Sequence, residues 1–476
     1  MPHFRQRTTR AVLLSGLMLA GTTPAAAQTA ADYQALRNKV DELQRQLDTV
    51  QRALAATPPV MVATASAPTA AAPAPQAAHD PLPRPAGAPP VTAQGGPSTL
   101  PAGYGFRIGE TSFRISGFIK GDLIFSRYGD GDTATNPLGR ELSLPQSIPV
   151  GGRRSGILAD ASAKQSRIAF QTATPVGNTT LTTLIEADFQ VAPAVSGGER
   201  ALNPYTFGLR RAVAGYGGFA VGQDWSNFQY VAALPETADF VGVTDGTVLV
   251  RQMLLRYSRP IGSGWTVSAS IENPETVSAV AGAPALSDND DDSLPDLTGQ
   301  LLWSAKGASL SLAGLLRSMR VDPANGRSAA TARGYGVSLA GIAPLPTGKG
   351  DDVRFMMTGG HGIGRYVGAN VAPDAIYDPA EDRLLPVSLL AGFVGVRHYW
   401  TGTLRSTWMG SFQRIWSPAS ASALSTRQVW DTAINLFVSP LPRLDIGIEA
   451  RLSHRELING ATGTLDRLHF TVKQGF

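Results

Sequence analysis

From residue 104 to the carboxy terminus, apolar and polar residues alternate with a period of two in one short segment after another. Phe113-Ile115-Gly117-Ile119-Gly121-Leu123-Phe125, Leu181-Thr183-Ile185-Ala187-Phe189 and Leu444-Ile446-Ile448-Ala450-Leu452 are the clearest. Successive side chains of a strand point to opposite faces, so each segment describes a strand whose two sides meet different surroundings. One such segment would suit any half-buried strand. Its repetition is more restrictive. Turn signals such as Pro175-Val176-Gly177-Asn178, Pro260-Ile261-Gly262-Ser263-Gly264 and Ser439-Pro440-Leu441-Pro442 alternate with longer polar loops such as Ser287 to Asp292 and Asp374 to Arg383. Short turns on one side and long loops on the other describe an antiparallel meander that closes as a transmembrane β-barrel. At about 23 residues per strand and connection, residues 104–476 predict an all-β barrel of about sixteen strands, with eighteen as the alternative because the glycine-rich stretch from Tyr205 to Gln223 is hard to delimit.

Composition agrees. Charged residues make up only 16%, against about a quarter in soluble domains. No segment is apolar for the ~20 residues that a membrane-spanning helix needs, so an α-helical membrane protein is excluded. With no cysteine among 476 residues, closure of the sheet rather than disulfides must hold the fold.

The amino-terminal fifth predicts three further regions. Arg5, Arg7 and Arg10, an apolar stretch from Ala11 to Ala20, and small residues up to Ala27 read as a secretory signal over 1–27. In 30–56, Tyr33, Leu36, Val40, Leu43, Leu47, Val50 and Leu54 recur at alternating spacings of three and four, the seam of a short coiled coil. Such a stripe needs partners, so self-association is expected through Leu36, Val40, Leu43, Leu47, Val50 and Leu54. Residues 57–103 are rich in proline and alanine and form a linker.

If the apolar member of each alternating pair faces lipid, its neighbours face the lumen. That face holds Arg114, Ser116, Lys120 and Asp122, then Arg167, Gln171, Glu186, Asp188, Asp445, Glu449 and Arg451. A charge at the bilayer midplane would cost ~2–4 kcal/mol. Arginine dominates, and guanidinium groups bind carboxylates and phosphates in bidentate fashion. Arg114, Lys120, Arg167, Arg251, Arg317, Arg354 and Arg405 are therefore the candidate pore-lining residues, with small anionic solutes as partners.

Gly222-Gln223-Asp224-Trp225-Ser226-Asn227-Phe228, Pro235-Glu236-Thr237-Ala238-Asp239-Phe240 and Arg251-Gln252 look like the signature of the DcaP-like outer-membrane porins. Ser116-Gly117-Phe118-Ile119-Lys120 and Ser166-Arg167-Ile168-Ala169-Phe170 also resemble that family. The resemblance implies a trimeric channel of about sixteen strands in the bacterial outer membrane, with a periplasmic coiled coil and uptake of dicarboxylic and other small anions. It also implies that 224–248 folds into the pore, with Trp225, Phe228, Tyr230 and Phe240 packing on the wall and Asp224, Glu236 and Asp239 pairing with its arginines. Ending on Phe476, the chain is similar to the final strands of outer-membrane barrels, which the barrel assembly machinery recognises.

Two other classes compete. A barrel enzyme would need a nucleophile or metal constellation, and His361, His398, His454 and His469 stand in none. No catalytic residue, metal ligand, cofactor or nucleic-acid partner is expected. A structural anchor, with an incidental pore, is the second rival, and a phosphate-type anion pore is a variant of the first reading.

Overall fold

The computed structural model describes residues 105–131, 137–190, 206–289, 291–323, 328–347 and 350–476. The expected signal, coiled coil and linker lie outside these residues.

Sixteen strands close into one antiparallel barrel. They are β1 (Thr111–Tyr128), β2 (Arg167–Val176), β3 (Thr179–Asp188), β4 (Gly208–Tyr216), β5 (Phe219–Trp225), β6 (Arg251–Gly262), β7 (Trp265–Glu272) and β8 (Asp296–Ala305). The second half is β9 (Ala308–Val321), β10 (Ala330–Pro344), β11 (Asp352–His361), β12 (Ser388–Tyr399), β13 (Leu404–Trp416), β14 (Thr426–Leu441), β15 (Leu444–Leu457) and β16 (Thr462–Gly475). Each pairs with its chain neighbour, and β1 closes the ring. Its lower part pairs with β2 from Ser112↔Ala173 to Phe118↔Arg167, and its upper part with β16 from Phe118↔Gly475 to Tyr128↔Leu465.

The outer face is the apolar one. Ile115, Ile119, Val221, Leu255, Leu312, Val337 and Ile434 are exposed on it, while their chain neighbours face inward. From Phe113 to Phe125 the apolar parity of β1 runs about 40 Å along the strand, or about 30 Å along the barrel axis at the usual tilt. That spans a bilayer's hydrocarbon core.

The two ends differ. Gly217-Gly218, Ser263-Gly264 and Lys306-Gly307 each join two strands with positive φ at both positions, the conformation of tight hairpins. All connections of this kind lie at one end, which such barrels turn to the periplasm. The long loops lie at the other. Two of them, 273–295 and 362–387, build a four-stranded sheet from Val277–Val280, Leu286–Asp288, Ala375–Asp378 and Arg383–Pro386.

Candidate pore and its inner loop

The segment 226–250 between β5 and β6 folds into the barrel. Phe228, Ala233, Val243 and Val248 are buried in one apolar cluster with Ala313, Leu315, Ala340, Met356, Ala391, Met409 and Ala433 of the β9–β14 wall. Small inward side chains on that wall make the room. A side chain at Gly246 would place its Cβ 2.3 Å from the carbonyl oxygen of Gly392, so backbone meets backbone there. Phe228 also packs edge-on against Tyr366, with centroids 5.9 Å apart.

Polar groups complete the attachment. Arg405 binds both oxygens of Glu236 at 2.7 Å and Asp445 at 2.9 Å. Glu449 accepts from Thr237 Oγ1 and the Ala238 backbone at 2.8 and 2.9 Å, and from Arg451. Lys120 donates to the Ala238 carbonyl at 2.6 Å, and Arg354 to the carbonyls of Ala232 and Leu234. Burial opposes ionisation of Asp239, but Arg451, Arg467, His469 and Lys120 outweigh it and hold its carboxyl below the usual range. Asp245 is the opposite case. Burial, reinforced by the Asp431 charge, pushes its carboxyl up to about 7 although Ser411 donates to it.

The loop occupies the β9–β14 side, so the β1–β4 side borders the remaining lumen. Arg167 lies 5.4 Å from the centroid of Phe118 and 5.8 Å from that of Phe240 on the inner loop. Lys473 lies 6.0 Å from the same Phe118 ring, and Arg210 4.8 Å from Phe240. Arg167 and Lys473 are more exposed than the carboxylates they pair with, whereas Arg210 and Arg405 lie deeper than Glu186 and Asp445. Side-chain exposure is 24% for Arg167 against 14% and 1% for Glu186 and Asp188, and 32% for Lys473 against 17% for Asp445. Arg114, half-buried on the inward parity of β1, makes no ion pair with a described residue.

Several expected site residues stand elsewhere than their sequence neighbourhoods suggest. Asp224 and Trp225 belong to strand β5 rather than to the inner loop. Asp224 is held by Arg211 and Arg256 of the flanking strands at 2.6 and 3.0 Å. Arg251 pairs in register with Trp225 at the strand end and stacks 4.9 Å over the indole. Its Nη1 is buried, and its charge neighbours are Arg210, Asp188, Arg167 and Glu186 of the inward cluster. Arg317 is fully covered by the loop sheet, bound to Asp374 at 2.9 Å and to Asp296 at 3.5 Å. Lys120, Arg354 and Arg405 hold the inner loop, and Lys120 and Arg405 are buried. Asp239 accepts from the backbone of Ser143 and Gly242, so the part of a second loop around Ser143 also enters the lumen.

Arg210 was hidden from sequence reading by a bulge. Glu186 pairs with Arg211 but Ala187 with Leu209, so Arg210 is the extra residue and both arginines reach inward. Lys473 and Phe118 were legible on the inward parity. Nothing in the sequence marked them above their neighbours.

A family model described as DcaP outer membrane protein matches residues 111–476. Among solved structures, the outer membrane channel DcaP of Acinetobacter baumannii superposes with a TM-score of 0.63 at 21% identity, covering 78% of this chain and 100% of that one. OmpT of Vibrio cholerae (TM-score 0.46, 10% identity, 78% and 99% covered) and Salmonella typhi OmpF (0.47, 10%, 77% and 98%) are more distant, and nothing rests on them. No curated protein matches the chain.

Proposed function

We propose, for a chain that belongs to the DcaP outer membrane protein family, a passive channel that favours small anions, dicarboxylates among them. The observation that carries this reading is the exposure of Arg167 and Lys473, which reach further out than the carboxylates they pair with. A low-dielectric wall focuses such a field and raises the local concentration of anions. Arg114, Arg167 and Lys473 stand at successive heights, opposite or on residues 114, 118 and 120 of β1. Those positions span about 20 Å along the strand. Weak sites in succession let a solute enter without trapping it, and a second carboxylate engages a second site.

The inner loop narrows the pore from the opposite side, with Phe240 as the residue that meets the arginines. By the family likeness we also place the coiled coil in the periplasm, assign a homotrimer as the working form, and make Phe476 the mark read by the barrel assembly machinery.

The test is the reversal potential of the full-length protein in planar bilayers under a salt gradient. The wild type is expected to be anion-selective, and Arg167→Ser with Lys473→Ser to shift the potential toward cations, more at low ionic strength. A cation-selective wild type, or an unmoved potential in the double variant, refutes the reading.

A further inference from the structure

The outer wall carries a concavity of about 780 Å³ on the long-loop half of the barrel. Its belt runs register to register across five strands: Trp408, Ile434, Ala450, Leu468 and Phe125. Four strand spacings make it about 19 Å wide. Ala450 and Thr432 keep the floor low, while Trp408 stands at one side and Ile157, 71% exposed, at the other. Since Phe125 ends the apolar stretch of β1, the concavity lies at the outer boundary of the hydrocarbon layer.

Basic residues stand at its β1 edge. Arg127 and Asp466 form an outward ion pair at 2.8 Å at the edge of the concavity. Beyond it, the backbone of Gly152 bonds to Asp130 and that of Ser155 to Tyr128, which pins the loop over the end of β1. The two residues between those anchors are Arg153 and Arg154. Both are exposed, and neither makes an ion pair with a described residue. Two exposed arginines on the loop that continues past the Ile157 edge of an apolar trough match a ligand with acyl chains below and phosphates above.

We propose that this face binds a phosphorylated, multiply acylated lipid of the outer leaflet, its chains in the Trp408–Phe125 trough and a phosphate on Arg153 and Arg154. The site is on the outside of the wall and independent of what the pore conducts.

Native mass spectrometry of the full-length protein in detergent, with added bis-phosphorylated hexa-acyl lipid A, tests it. The wild type is expected to retain the lipid at concentrations where the dephosphorylated form is lost. Arg153→Ala with Arg154→Ala should weaken retention about tenfold or more, as two basic groups at a headgroup imply, and the Lys pair should restore it. Ala450→Trp, which fills the floor, should weaken retention of both lipids. Equal retention of the two lipids, or unchanged retention in the Ala pair with a normally heat-modifiable barrel, overturns the proposal. So does an Ala450→Trp variant that dissociates an oligomer and leaves lipid retention unchanged, because the face would then be an interface between copies. Should Ala450→Trp fail to fold, the loop arginines, exposed and unpaired, still decide the matter.

Discussion

Asp245 shows how one residue's surroundings become a measurable property. It sits on the inner loop, donated to by Ser411 and faced by Asp431 and Arg451. Burial and the Asp431 charge push its carboxyl up to about 7 in the folded barrel, against about 3.9 when unfolded. Between those values the folded state holds a proton that the unfolded state has lost. The group's contribution is therefore greatest below about pH 4, falls as pH rises toward 7, and is level above. Asp245→Asn cannot ionise. It should match the parent near pH 4 and withstand higher temperature than the parent at pH 8, measured by the temperature at which gel migration changes to the unfolded form. Equal midpoints at pH 8 would show that the site is solvated. Arg451 next to it is different in kind. Bound to Asp431, Glu449 and the Gly242 carbonyl, it is a buried guanidinium whose removal strands two carboxylates, at a cost of about 3–5 kcal/mol.

At the scale of elements, the inner loop and the last strand each make a prediction. The loop is seated chiefly by apolar contact, with Phe228 at its centre. Phe228→Ala should leave a cavity worth about 3–5 kcal/mol. That is enough to free the loop while the strand ladder persists. The expected readout is greater and noisier single-channel conductance with unchanged barrel assembly; an identical trace would place the loop's stability in Arg405, Glu449 and Arg354 instead. The last strand ends on Phe476, whose backbone N–H donates to the Gly117 carbonyl at 3.0 Å and whose carbonyl accepts from Gly117 at 3.3 Å. Deleting Phe476 removes these seam bonds and the ring together. Phe476→Ala keeps the bonds and removes only the ring. If the ring is the assembly mark, both variants should give less heat-modifiable barrel at equal export, whereas loss in the deletion alone would assign the effect to seam closure.

For the whole molecule, the expected coiled coil bears on assembly. Leu43 and Leu47 lie on the predicted seam, and aspartate there would bury unpaired charge. The peptide 30–56 should self-associate and its Leu43→Asp, Leu47→Asp form should not, as sedimentation would show. A monomeric parent peptide would remove the role assigned to this stripe.

Much of the architecture was legible beforehand for a local reason. The alternation of strand side chains is a property of the backbone itself, so outward Ile119 and inward Lys120 follow from their positions alone. Strand number and the two kinds of connection follow from spacing and from turn residues. What the inward residues do was not legible, because it depends on contacts across the barrel. Arg405 and Glu236 are 169 positions apart, and Lys120 and the Ala238 carbonyl 118. Period two places a side chain on a face but carries no information about which opposite charge will arrive there. It also fails where the period breaks: the bulge at Arg210 turned two successive arginines inward. The sequence by itself determined a barrel with a charged inner face, since backbone geometry and the cost of charge in lipid are local terms. Only the tertiary structure decided which of those cations are consumed in holding loops and which remain for a solute, since ion pairing is set by distances that closure of the sheet alone creates.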